Sequence, residues 1–133
     1  MTKIRVIYAD TDKMGVVYYA RYLEYCERAR GDFLRERGVS YREIEAKGYM
    51  LPVVEVYFRY YNPAFYDDEL DVSVIPEELS RFRFVLSYRI TRGEALIGEG
   101  KTVHLVIDKR GKATRLPKEI FDKIKGGCCG AKK

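Results

Sequence analysis

The sequence predicts an α+β protein in which a five-stranded antiparallel sheet wraps around one long helix. Three observations carry that prediction. Apolar and polar residues alternate through most of the second half, the period of strands with one covered face. Apolar residues recur at spacings of three and four mainly once, the period of an amphipathic helix. Turn and capping residues separate these stretches.

The elements follow in order. Ile4, Val6 and Tyr8 share one face of a first strand. Tyr19, Tyr22, Leu23, Cys26, Ala29, Phe33 and Leu34 make a helical stripe about five turns long, which Gly38 ends. Glu24 and Arg28 sit four apart on its outer side in the favourable order. Ser40 and Glu43 form a capping box that opens a short helix, and Gly48 closes it. Four further strand faces come next: Val54, Val56, Phe58 and Tyr60; Leu70, Val72 and Val74; Phe82, Phe84, Leu86, Tyr88 and Ile90; and Val103, Leu105 and Ile107. Pro117 begins a last short helix, at a position where proline is tolerated. Only the long helix is large enough to cover the apolar side of such a sheet. The other face and the edges are left open to a partner subunit. Residues 1–125 form one domain, and the tail 126–133, rich in Gly, Cys and Lys, is expected to be disordered because it has nothing to bury.

Composition bounds the function. A chain of 133 residues can build one core without metals or disulfides. No apolar run approaches the ~18 residues that would insert in a membrane. The start of the chain lacks a signal-peptide layout, so a cytoplasmic location is expected. The three cysteines, Cys26, Cys128 and Cys129, are an odd number with two adjacent, which is no disulfide framework. A net charge of +5 permits an anionic partner without requiring one. With 34% charged residues, no glutamine and a single asparagine, the composition is that of a thermophile.

The stretch YADTDKMGVVYY, residues 8–19, concentrates the chemistry. Read as a turn, Asp12 caps a helix while Asp10 and Gly15 help the chain reverse. Read as a site, Gly15 removes a side chain where helix-mouth amides become approachable. Val16, Val17, Tyr18 and Tyr19 are poor helix starters, so a constraint overrides propensity there. The positive helix end favours an ionised Asp12, and a carboxylate beside free N–H groups is a base or nucleophile next to an oxyanion site. A metal pair at Asp10 and Asp12 lacks the further oxygen ligands that hard cations want, so no metal site is expected. His104, the only histidine, falls on the strand face opposite Val103 and Leu105, with no nucleophilic serine or cysteine motif to serve. Cys26 reads as core. Aromatic residues interleaved with arginines in SRFRFVLSYRI could stack single-stranded nucleic acid, but strict alternation puts the aromatics on the apolar face, so no nucleic acid is expected as partner.

YADTDKMGVVYYARYLEYCERAR, YNPAFYDDELDV and RLPKEI together resemble the 4-hydroxybenzoyl-CoA thioesterase family, in its branch of acyl-CoA thioesterases associated with the Tol-Pal system. The resemblance implies the hotdog fold, a curved antiparallel sheet around a long helix. It implies hydrolysis of an acyl-CoA with Asp12 as the catalytic carboxylate. The thioester carbonyl would be polarised at the helix mouth around Gly15 and Tyr19, and Tyr8, Val16, Val17 and Tyr18 would line the acyl site. Tyr19 stands where that branch usually has histidine and the aryl-CoA members have tyrosine. The implied assembly is a homodimer or homotetramer with the site between subunits. No cofactor is implied beyond the coenzyme A of the substrate, whose phosphates call for a basic rim; Arg81, Arg115 and Lys118 are the candidates. Two other readings remain open at this point: a hydroxyacyl-thioester dehydratase on the same fold, and a module that binds acyl groups or nucleic acid without catalysis.

Overall fold

The computed structural model describes residues 1–126. Its five-stranded sheet contains β1 (Thr2–Arg5), β3 (Val53–Tyr60), β4 (Glu69–Leu79), β5 (Arg83–Arg92) and β6 (Ala95–Leu105). The strands lie in the order β1-β4-β5-β6-β3, every pair antiparallel. The sheet curves around α1 (Arg21–Glu36), as the alternation and the single long stripe predict. A short α2 (Tyr41–Ala46) follows α1, and α3 (Lys118–Gly126) closes the fold. A two-stranded ribbon, β2 (Tyr49–Met50) against β7 (Ile107–Asp108), is too short to leave a periodic signal in the sequence. Gly126 is the last residue of α3, and the remainder of the expected tail lies outside the described residues.

The helix ends follow local chemistry. The α1 chain reverses through a Schellman closure: Val39 N–H donates to Leu34 O and Gly38 N–H to Arg35 O, with Gly38 at φ +84°. Ser40 Oγ accepts from Glu43 N–H and caps α2.

Three expectations about faces need correction. Tyr8 is not in β1, which ends at Arg5; it lies in a short 3-10 turn and is 78% exposed. Leu23 and Tyr19 do not belong to the buried stripe of α1, which is Tyr22, Tyr25, Cys26, Ala29, Phe33 and Leu34. The inward face of β6 is not Val103 and Leu105. It is Gly98, Gly100, Thr102 and His104, whose cross-strand partners Ile90, Tyr88, Leu86 and Phe84 are all core residues. Two glycines hide this face from any hydrophobic count. Phe58 of β3 supplies the missing volume: its ring lies over both, and a Cβ at Gly98 would stand 2.6 Å from it.

Phe84, Leu86, Tyr88 and Ile90 are buried as predicted, which removes them as stacking platforms for bases; Phe82 precedes β5 and is exposed. Val54, Val56 and Tyr60 sit on the edge strand β3 and are exposed in the single chain.

Candidate functional site

The stretch 8–19 is not the first turn of the helix. Thr11 bridges Val17, Val16 bridges Phe65, and Asp12 N–H donates to Val16 O at 2.9 Å. Val16 and Val17 are therefore extended residues, where β-branching suits the backbone. Helix α1 begins only at Arg21, so no propensity is overridden.

Within this turn the two aspartates separate into different roles. Asp10, its side chain 13% exposed, accepts from Tyr25 Oη at 2.8 Å and from Ile7 N–H at 3.2 Å. Its carbonyl also receives Tyr18 N–H at 2.9 Å. Asp10 thus ties the loop to the first turns of α1. Burial raises the pKa of Tyr25 and the neighbouring Asp10 carboxylate raises it further, which keeps the hydroxyl protonated as donor. Asp12 faces solvent. Its Oδ1 accepts from Met14 N–H at 2.8 Å and Val16 N–H at 3.3 Å, while Oδ2 receives no donor among the described residues. Asp12 therefore caps its own turn rather than α1.

Gly15 has a different part from the one expected. Its N–H is taken by Asp12 O at 3.0 Å and its φ is +82°, so glycine is there to close the turn. The free donors lie further on. Ala20, the N-cap of α1, offers no side-chain acceptor, and the N–H groups of Tyr19 and Ala20 have no acceptor among the described residues. They form an uncapped positive helix end. Tyr60 Oη donates to Tyr19 O at 3.2 Å and braces this mouth from β3. Sequence reading missed Ala20 and Tyr60: alanine carries no chemical signal, and Tyr60 meets Tyr19 only through the fold.

The other candidates divide. Tyr18 and Tyr19 are exposed at the mouth with rings 4.7 Å apart, and Tyr8 stands edge-on to Tyr66. Val16 is half-buried beside them, whereas Val17 is buried in the core and does not line an open surface. Arg81, Arg115 and Lys118 gather elsewhere. Arg81 Nε donates to Leu116 O at 2.8 Å, Arg115 lies over the Phe82 ring, and Lys118 begins α3. Arg83, next to Arg81 and Phe82, pairs with Leu105 at one end of β6, while Tyr60 pairs with Gly98 near the other. The two ends are roughly 20 Å apart at strand rise. One chain does not bring these cations to Asp12.

His104 is 3% exposed, with both ring nitrogens engaged, at the end of β6 away from the mouth. Among the described residues no His, Cys, Asp and Glu cluster suits a metal ion. Among the described residues no helix is long and apolar enough to cross a membrane.

Comparison with known proteins places these features in context. The family model of the thioesterase-like superfamily matches residues 6–124. The acyl-CoA thioester hydrolase YbgC of Escherichia coli O6:H1 is 33% identical over 124 residues, 92% of this chain and 92% of that protein. The 1,4-dihydroxy-2-naphthoyl-CoA hydrolase of Thermosynechococcus vestitus is 34% identical over 104 residues, 77% of this chain and 71% of that one. Among solved structures, a hypothetical protein from Thermus thermophilus superposes with a TM-score of 0.89 at 38% identity, over 93% of this chain and 95% of its own.

Proposed function

The chain belongs to the thioesterase-like superfamily, and from that premise we propose that it is an acyl-CoA thioesterase working at the mouth of α1. One observation carries the mechanism: unpartnered amides at Tyr19 and Ala20 share a loop with Asp12, whose Oδ2 is unengaged. The thioester oxygen accepts from those amides, which meet the charge that develops on it. Preorganised donors of this kind contribute on the order of 3 kcal/mol each. Asp12 either attacks the carbonyl carbon, giving an anhydride that water opens, or takes a proton from the attacking water. In both routes the C–S bond breaks, coenzyme A leaves as the thiol, and the acyl group leaves as the acid. The chemistry calls for no cofactor beyond the coenzyme A of the substrate.

The exposed rings of Tyr8, Tyr18 and Tyr66 around the mouth favour a small or aromatic acyl group. YbgC and the naphthoyl-CoA hydrolase match this chain at similar identity, so the Tol-Pal branch rests on the motif alone. The dehydratase reading needs a histidine paired with an acid, and the enclosed position of His104 disfavours it.

The edge strand β3 supports an assembly of two copies. It exposes Val53, Val54, Val56, Tyr57 and Tyr60 and has a free hydrogen-bonding edge. Two β3 strands paired antiparallel about their centre would set Val53 of one copy opposite Tyr60 of the other. The end that holds Arg81, Arg115 and Lys118 would then approach the mouth of the neighbouring copy, where coenzyme A phosphates need a basic rim.

The deciding experiment is thiol release from a panel of acyl-CoAs by the wild type and Asp12→Asn. Activity falls by several orders of magnitude in the variant while its circular dichroism is unchanged. Wild-type turnover by Asp12→Asn would overturn the assignment.

A further inference from the structure

A cavity lies away from the helix mouth. It holds about 950 Å³ between the second half of α1 and the starts of β1 and β3, and neither Asp12 nor Tyr19 lines it. That is within the upper range for small-molecule sites. Leu34, Leu51, Val53, Phe84 and Leu86 supply apolar wall.

Two of the lining residues, His104 and Arg30, are joined through Thr102 and Tyr88 by a hydrogen-bond chain of defined direction. Leu51 O can only accept, so His104 Nδ1 carries the proton and donates to it at 3.0 Å. His104 Nε2 is then an acceptor, and Thr102 Oγ1 donates to it at 2.8 Å. Having spent its proton there, Thr102 accepts from Tyr88 Oη at 2.6 Å. Tyr88 in turn accepts from Arg30 Nη1 at 3.2 Å. Burial, aided by the Arg30 charge and opposed by the bond to Leu51, lowers the His104 pKa to about 4, so the imidazole stays neutral as this ordering requires. Arg30 is thus anchored through one nitrogen, with the fork of Nε and Nη2 left without an acceptor among the described residues.

The charges lining the cavity do not cancel. Lys3 pairs with Asp71, Arg35 with Asp32 and the Met1 ammonium with Glu36, and Thr2 also holds Asp32. That leaves Arg28 and Arg30 against Glu27 alone, with no ion pair to any of the three among the described residues. A half-buried guanidinium without a counter-charge calls for an anion, and its free fork matches a carboxylate in two parallel hydrogen bonds. Net residual charge of a single unit and the apolar wall of Leu34, Leu51, Val53, Phe84 and Leu86 disfavour a phosphate dianion.

We propose that this cavity is a binding site for a compact hydrophobic carboxylic acid, its carboxylate on the fork of Arg30 and its apolar body against Leu51, Phe84 and Leu86. The proposal does not depend on the thioesterase reading. Calorimetric titration of the full chain with octanoate and 2-naphthoate tests it, with octanol and 2-naphthol as uncharged controls. At least one acid binds at sub-millimolar concentration, and its uncharged counterpart binds at least tenfold more weakly. Arg30→Met weakens the acid about 10- to 100-fold, the range for a charge-assisted bond. Arg30→Lys, which keeps the charge without the fork, falls between. Asp12→Asn binds the acid as the wild type does, so the outcome is read apart from thioester hydrolysis. Equal affinity for acid and alcohol, unchanged affinity in a folded Arg30→Met, or no binding at millimolar acid would overturn the proposal.

Discussion

At the scale of single residues, environment rather than type sets the role. Asp10 and Asp12 are two positions apart, yet one is a half-enclosed brace and the other a solvent-facing carboxylate. Tyr25→Phe removes the hydroxyl that Asp10 accepts from and leaves that carboxylate short of a donor. A loss of roughly 1–3 kcal/mol in urea unfolding is expected, as for hydrogen bonds to charged groups. His104 sets an acid limit. Its folded pKa of about 4 lies below the ordinary 6.5, so the unfolded chain takes up a proton first as pH falls. The contribution is whole above about pH 6.5 and is lost on descending toward pH 4, roughly 3 kcal/mol in all by linkage. Urea midpoints measured across that window should fall steeply in the wild type and less so in His104→Gln, which cannot titrate. Equal slopes would refute the assignment. The Cys26 thiol, pushed up to about 12 by burial, should resist alkylation until the protein unfolds.

At the scale of elements, β6 and the loop before α1 show how a missing side chain misleads a periodic reading. Gly98 and Gly100 occupy inward positions because Phe58 and the β3 backbone come too close for a Cβ; at Gly100 it would lie 2.5 Å from Tyr57 O. Gly100→Ala should therefore destabilise the fold by about 1–3 kcal/mol, as overpacking does, by forcing the β3–β6 pair apart. A chemical-denaturation midpoint equal to that of the wild type would show that β3 shifts freely. Gly93→Ala provides a control: no neighbour crowds the added methyl, and only the positive φ of the turn is strained. The loop before α1 has the same moral. Val16 and Val17 were legible as poor helix formers, and they are bridge residues; the helix waits until Arg21, leaving two amides uncapped.

At the scale of the whole molecule, an edge strand with exposed apolar residues on both faces is a template for pairing. Val56→Lys places a charge at the centre of β3, where it is half exposed in the single chain. Sedimentation should show a dimer or larger species for the wild type at micromolar concentration and a shift toward monomer for the variant. Thiol release should fall with it, since in the proposed pairing Arg81 and Arg115 approach the helix mouth of the neighbouring copy. A monomeric wild type with full activity would remove the two-copy arrangement and leave the Asp12 assignment standing on its own.

The sequence by itself determined the class and order of the elements, because alternation, helical spacing, the Ser40 cap and the Gly38 stop are local signals that each residue reads from its neighbours. It also singled out the stretch that carries Asp12 as the candidate site, through the motif and the family it resembles. Tertiary structure alone decided where α1 begins, since the bridges from Thr11 to Val17 and from Val16 to Phe65 hold those residues extended. It alone decided which face of β6 turns inward, since Phe58 fills the space above two glycines. It alone joined Arg30, Tyr88, Thr102 and His104 into one chain, and separated the Arg81 cluster from Asp12. The physical reason is common to all of these: contacts between residues far apart in the chain depend on how sheet and helix pack, and packing leaves no period in the sequence.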